Sequence, residues 1–179
     1  ALEPGINFSG TDDVYSGGEA GTMVGEASAG RRHDLVLATK VRGRMGQGPN
    51  QGGLSRVHII NSVEASLKRL NTDYIDLYQI HRSDWLTNIE DTLRTLDDLV
   101  RACKVRYIGC SNLPAWSLMK SLAVSRVQLL ERFKCTQSFY SLAGRDVARQ
   151  TLPLLKCQGL RLLLWSPLAG CSLSGKCTP

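Results

Sequence analysis

Six short apolar runs, most of them about 30 residues apart, leave this chain few folds to choose from. The runs are Gly5-Ile6-Asn7-Phe8, Asp34 to Thr39, Tyr74 to Ile80, Val105 to Cys110, Phe133 to Gln137 and Leu160 to Trp165. Helical patterns fill the gaps. Ile60, Val63, Leu67 and Leu70 recur at helical spacing behind Ser55, which reads as an N-cap. Thr87 and Glu90 spell a capping box ahead of Ile89, Leu93, Leu96 and Val100. Pro114 suits the first turn of a helix carrying Trp116, Met119 and Leu122. A weaker helix, Arg145 to Gln158, is interrupted at Pro153.

Strands that alternate with helices build a parallel sheet with its helices outside. The two usual solutions are a doubly wound open sheet and a (β/α)8 barrel. Polar residues able to do chemistry follow nearly every run: Tyr15, Lys40, His81, Ser111-Asn112, Gln137 and Ser166. A barrel gathers all those strand ends at one mouth, whereas an open sheet concentrates them at its switch point. The dinucleotide fingerprint of the open sheet is missing as well, because Gln51 stands where the third glycine after Gly46 and Gly48 belongs. The expected fold is therefore α/β, an incomplete (β/α)8 TIM barrel of about six βα units without its first and last strands. It is expected to form a single partial domain over residues 1–179. A complete barrel runs to about 250 residues.

Composition removes other function classes. Lys and Arg number 22 against 16 Asp and Glu, but the resulting charge of +6 is scattered. Its densest spots, Arg31-Arg32 and the Arg101, Lys104 and Arg106 group, form no basic stripe interleaved with aromatics, so no nucleic-acid partner is expected. The apolar run Leu162 to Trp165 is too short to cross a bilayer, and no secretory signal is visible. The six cysteines contain no C-x-x-C pair, so neither a zinc module nor a disulfide scaffold is expected. Free thiols in the cytoplasm are the reading, with a Cys171–Cys177 bridge left open. Trp116 reads as core packing, Trp85 as loop packing, and His33 and His58 as surface residues.

A set of segments in fixed order adds a resemblance. They are Gly5-Ile6-Asn7-Phe8, Asp13-Val14-Tyr15, Ala38-Thr39-Lys40, and Asp73-Tyr74-Ile75-Asp76-Leu77 leading to His81. Further on come Gly109-Cys110-Ser111-Asn112 and Trp165-Ser166-Pro167-Leu168-Ala169-Gly170. Together they resemble the aldo-keto reductase family from Gly5 to Lys176. The resemblance implies NADPH-dependent reduction of a small-molecule aldehyde or ketone to its alcohol by hydride transfer. It implies Tyr15 as proton donor, Lys40 as the charge that favours the phenolate, and His81 as the residue orienting the carbonyl. Ser111, Asn112 and Gln137 match residues that hydrogen-bond the nicotinamide carboxamide, and Trp165 matches the aromatic residue stacked on the ring. Ser166, Pro167, Leu168, Ala169 and Gly170 match the loop around the pyrophosphate, with Lys176 further along it. The alternative is a catalytically weak, NADPH-binding regulatory subunit resembling the beta subunits of voltage-gated potassium channels. Those share the Trp-Ser-Pro-Leu-Ala segment but usually follow their Ser by Arg, and Asn112 favours the enzyme branch. A decayed copy with no function of its own is the third reading.

Departures from the family sharpen the question. Gly10 stands where the resemblance places an aspartate that pairs with the lysine, so Lys40 is expected to lack a charge partner. The other possibility is that Asp12 takes its place, since residues 10 and 12 share a face if the strand continues. Asp13 matches the family's own residue. Cys103 stands where a glycine often closes a helix, and Cys171 replaces a glycine in the pyrophosphate loop.

Overall fold

The computed structural model of the chain describes residues 5–176. Its strands are β1 (Phe8–Gly10), β2 (Val36–Val41), β3 (Ile75–Ile80), β4 (Val105–Ser111), β5 (Cys135–Phe139) and β6 (Arg161–Trp165). The helices between them are α1 (Glu19–Ala27), α2 (Arg56–Leu70), α3 (Ile89–Arg101), α4 (Ala115–Val127) and α5 (Thr151–Gln158). Every strand pair is parallel, and the spatial order β1-β2-β3-β4-β5-β6 is the order in the chain. An order that never reverses has no switch point, which excludes the doubly wound sheet. Each helix packs on the next, so the helices form one continuous layer. This is a curled, incomplete (β/α)8 barrel.

Two clusters mark the two faces of the sheet. The larger one joins strand residues such as Leu37, Val41, Ile80 and Ile108 to helix residues such as Ile59, Val63, Leu93, Leu96 and Leu118. The smaller one holds Ala38, Leu77 and Cys135, with Leu163 packed against it. On the register of the strands Ala38 lies opposite Leu77, and Lys40 lies opposite Gln79 two residues further on. The face that carries the small cluster therefore also carries Lys40 and Gln79 toward the strands' C-terminal ends.

At the other end of the sheet a different device holds β2, β3 and β4 together. Asp76 accepts from the Leu37 amide at 2.9 Å and pairs with Arg32 at 2.7 Å and Arg106 at 2.8 Å. Both guanidinium groups lie over the Tyr74 ring, at 3.9 and 3.8 Å from its centre. Asp76 is buried, so this is a compensated charge rather than a surface ion pair.

Helix ends follow local chemistry, with one departure from expectation. Ser55 caps α2 by accepting from the His58 amide at 3.3 Å. The Thr87–Glu90 capping box does not form. The Thr87 hydroxyl donates to Asp84 at 2.8 Å, and Asn88 caps α3 instead, accepting from the Glu90 amide at 3.2 Å. The anticipated Arg145 to Gln158 helix divides into a 3-10 turn, Asp146–Ala148, and α5. Two burial readings are also corrected. Trp116 is 58% exposed and stacks on Trp85 at 6.0 Å, while its neighbours Leu118 and Leu122 are the buried apolar residues of α4. His58 is buried, because its Nε2 reaches the Gly43 carbonyl at 3.2 Å.

The five described cysteines are unbridged, and Cys177 lies outside the described residues. Burial raises the Cys110 thiol to about 12 and the Cys135 thiol to about 11, so both remain protonated and inert. Among the described residues no helix is long and apolar enough to cross a membrane. Cys103 closes α3 in a left-handed conformation (φ 58°), with its amide on Val100 and that of Lys104 on Leu99. A side chain in that conformation costs about 1 kcal/mol relative to glycine. Cys103→Gly is therefore expected to raise the melting temperature by about 2–4 °C. A lower melting temperature would show that the Cys103 side chain contributes more than its backbone strain costs.

Candidate active site

The pairing of β1 with β2 runs one residue beyond the strand. The Thr11 amide donates to the Ala38 carbonyl at 2.8 Å. The chain thus reaches the mouth at Asp12 and Asp13, and a short 3-10 turn, Tyr15–Gly18, then carries Tyr15 across the strand ends. Lys40 rises from β2 and donates to the Thr11 carbonyl at 2.9 Å and to the Tyr15 hydroxyl at 3.3 Å. His81, immediately after β3, meets the Tyr15 ring edge to face at 6.3 Å. Tyr15 is 43% exposed, whereas Lys40 is buried.

Asp12 lies beneath this group with no exposed side-chain surface. One of its oxygens accepts from the Val14 amide at 3.2 Å. The other lies 2.7 Å from His81 Nδ1 and 3.6 Å from Lys40 Nζ. Lys40 is therefore not short of a charge partner: a carboxylate two residues from Gly10 supplies it. Burial works to raise the Asp12 carboxyl, but its close contacts with His81 and Asp13 and the charge of His81 outweigh it. They hold Asp12 at about 2.

Asp13 behaves in the opposite way. It is fully buried, and neither of its oxygens meets a partner at ordinary hydrogen-bond geometry. Burial first, and then the Asp12 carboxylate, push it up to about 8. The pair thus holds one negative charge at neutral pH. Gly43 permits this burial, since a Cβ there would sit 2.0 Å from Val14 Cγ1 and 3.2 Å from Asp13 Oδ1. The buried His58 fastens the same glycine from behind through its carbonyl.

Next to Tyr15, Lys40 and His81 lies a cavity of about 250 Å³, lined also by Arg82, Ser111, Asn112, Gln137 and Trp165. Asn112, in a left-handed conformation (φ 54°), is the hub of its far wall. Its Nδ2 donates to Ser111 Oγ at 2.8 Å and to the His81 carbonyl at 3.3 Å, and its Oδ1 accepts from Trp165 Nε1 at 3.0 Å. Phe139 backs the Trp165 ring at 5.0 Å between centres. Ser111 keeps its hydroxyl proton free to donate, and Gln137 makes no side-chain hydrogen bond to another described residue. A flat face beside a hydroxyl and an amide fits a planar heterocycle bearing a carboxamide.

The structure does not bring every anticipated residue to that cavity. Ser166, Pro167, Leu168, Ala169 and Gly170 form a run of mostly exposed turns beyond β6, closed on itself by the Gly170 amide on Ser166 Oγ at 2.8 Å. Lys176 is exposed at the end of that run. Ser166, Ala169 and Cys171 all have positive φ, at 51°, 50° and 76°, so Cys171 holds a backbone conformation that favours glycine. Arg82 and Phe139 were not anticipated. Adjacency to His81 was the only signal for Arg82, and none marked Phe139.

Comparison with known proteins places this geometry. A family model described as "Aldo/keto reductase family" matches residues 1–179. An uncharacterized oxidoreductase, YrpG of Bacillus subtilis, is 39% identical over 98% of this chain and 57% of its own length. A probable voltage-gated potassium channel subunit beta of Oryza sativa subsp. japonica is 37% identical over 97% of this chain and 54% of its own. Among solved structures, the aldo-keto reductase AKR11C1 from Bacillus halodurans in its holo form superposes with a TM-score of 0.88. It is 33% identical, over 99% of this chain and 58% of that one. The chain thus spans little more than half the length of these three proteins.

The carboxyl pair predicts an unusual pH dependence of stability. Asp13 keeps its proton when folded and loses it near 3.8 when unfolded, so the folded state binds more protons between 3.8 and about 8. Stability from this group is full below that window and is lost as pH rises through it. Asp12 acts in the other direction, and its contribution is lost as pH falls from 3.8 toward about 2. Denaturant titrations should show wild-type stability falling from about pH 4 to about pH 8, with Asp13→Asn much flatter there. Parallel curves for the two proteins would contradict a protonated Asp13.

Proposed function

Because the chain belongs to the aldo/keto reductase family, we propose that it reduces a small-molecule aldehyde or ketone to the alcohol, with Tyr15 giving the proton. The observation that carries this reading is the contact of the Lys40 ammonium with the Tyr15 hydroxyl, 3.3 Å apart at a mouth shared with His81. A reduced nicotinamide dinucleotide, NADPH by the family resemblance, supplies hydride to the carbonyl carbon when bound. Trp165 would offer its ring to the heterocycle, and Ser111 and Gln137 would hold the carboxamide.

The protein's own part concerns the carbonyl oxygen, which must gain a proton as negative charge builds on it. Tyr15 is the hydroxyl donor that is both exposed to the cavity and in contact with a cation. Lys40 stabilises the phenolate left behind, and it does so from a buried position where its charge is weakly screened. His81 fixes the oxygen by a hydrogen bond, and solvent returns the proton to Tyr15 through its exposed edge. The products are the alcohol and the oxidised cofactor.

Likeness to the rice channel subunit supports a second reading, a cofactor-binding regulatory subunit of low turnover. Steady-state oxidation of NADPH with an aromatic aldehyde separates the two. The enzyme reading expects measurable turnover that falls about 10²–10⁴-fold in Tyr15→Phe, with cofactor affinity kept. Equal rates for the two proteins, or cofactor binding without turnover in the wild type, would overturn it.

A further inference from the structure

We propose that Asp12 is the positioning carboxylate of this mouth: it anchors the Lys40 ammonium beside Tyr15 and, by accepting the Nδ1 proton of His81, commits that ring to donate from Nε2 only as the imidazolium. The assignment rests on the carbonyl-reducing reading above and adds to it a residue and a protonation state.

An ionised carboxylate can only accept, and an oxygen 2.7 Å from His81 Nδ1, although off the line of an ordinary hydrogen bond, repels a lone pair there and favours the hydrogen on that nitrogen. A neutral imidazole carries one N–H. With Nδ1 protonated, Nε2 of the neutral ring presents a lone pair to the mouth. It then has nothing to donate to a carbonyl oxygen. Protonating Nε2 restores the donor and makes the ring a cation, whose charge faces Asp12. The other groups facing the ring are the Tyr15 phenol from the 3-10 turn and the Lys40 ammonium from β2. Arg82 lines the same cavity, and the β4 side contributes the neutral Ser111 hydroxyl and the neutral Asn112 amide, the latter bonded to the His81 carbonyl.

Burial makes the arrangement specific to Asp12. Its side chain has no exposed surface and that of Lys40 only 5%, so neither charge can turn to solvent instead. Asp13 offers no charge of its own, because its buried oxygens meet no donor and the neighbouring Asp12 carboxylate keeps it protonated. Gly10 is exposed, and a Cβ there would meet nothing closer than Phe8 Cε1 at 3.8 Å. Room therefore exists for a side chain at position 10, yet the charge on Lys40 is already compensated without one.

Long-range proton–nitrogen NMR of the histidine rings tests this on the cofactor-free protein, with His81 assigned by its loss in His81→Gln. At alkaline pH, where the ring is neutral, the wild type is expected to carry the proton on Nδ1, and Asp12→Ala to shift it to Nε2. A wild-type ring protonated on Nε2, or a ring unchanged in Asp12→Ala, overturns the assignment. The wild-type spectrum decides this by itself should Asp12→Ala not fold. Kinetics give the second test. Asp12→Ala should lose about 10²-fold or more in kcat. Gly10→Asp in the wild-type background should change kcat little. A rise of about tenfold, equivalent to about 1.4 kcal/mol, would mean that Lys40 still lacked a partner and would overturn the assignment. Absence of wild-type turnover contradicts the proposed function and leaves the Asp12 contact to be decided by the spectra.

Discussion

A carboxylate with no exposed surface must find its partners inside the protein, and the partners of Asp12 come from three separate places. Val14 follows it in the chain, Lys40 comes from β2 and His81 from the end of β3. Losing one member of such a buried set typically costs several kcal/mol, because the remaining charge is stranded. The location of Tyr15 depends on the same set. Its hydroxyl is met by Lys40, and its ring stands edge to face with His81. The extra hydrogen bond from Thr11 to Ala38 puts Asp12 at the right height. Gly43, held by His58, closes the space over Asp13 and keeps the charge pair dry.

The two ends of the sheet divide the work in the way a barrel requires. At the N-terminal end of the strands Asp76 is fully compensated by two arginines and a backbone amide, with Tyr74 between the guanidinium planes. Both oxygens of Asp76 are engaged there. At the C-terminal end the donors and acceptors are only partly used. Ser111 has a proton to give, Gln137 is unengaged among the described residues, and Tyr15 faces the cavity. A network that is complete at the base and incomplete at the mouth is what a ligand-accepting barrel needs.

Much of this fold could be read from the sequence because parallel strands are buried on both faces. Such strands carry apolar residues on both faces, and Ile75–Ile80 is buried throughout. Strand ends were harder, because pairing sets them rather than local hydrophobicity. Phe8 lies opposite Val36, so β1 begins where the Gly5–Phe8 run ends. Helical period was read correctly in α4, and Leu122 is buried as expected, but Leu118 joins it in the core while Met119 is exposed and Trp116 meets Trp85. Thr87 was a sound cap until Asp84, three residues back, took its hydroxyl. The burial of His58 depends on a carbonyl fifteen residues away, which no local pattern reveals. Position alone could put Asp12 on a strand face. That Asp12, rather than Asp13, would hold the charge depends on which carboxyl reaches His81, and that exists only in three dimensions.

On the proposed reading this mouth receives a nicotinamide dinucleotide beside Tyr15, Lys40 and His81. A thermal melt of the purified chain with and without excess NADPH addresses it most directly. Ligand at about 100 times its dissociation constant adds about 2.7 kcal/mol to stability, a shift of roughly 5–10 °C for a domain of this size. The account predicts one cooperative transition that moves upward by about that amount. A cooperative melt that NADPH leaves unmoved would contradict it, because the scaffold would then be folded and its mouth unable to hold the cofactor.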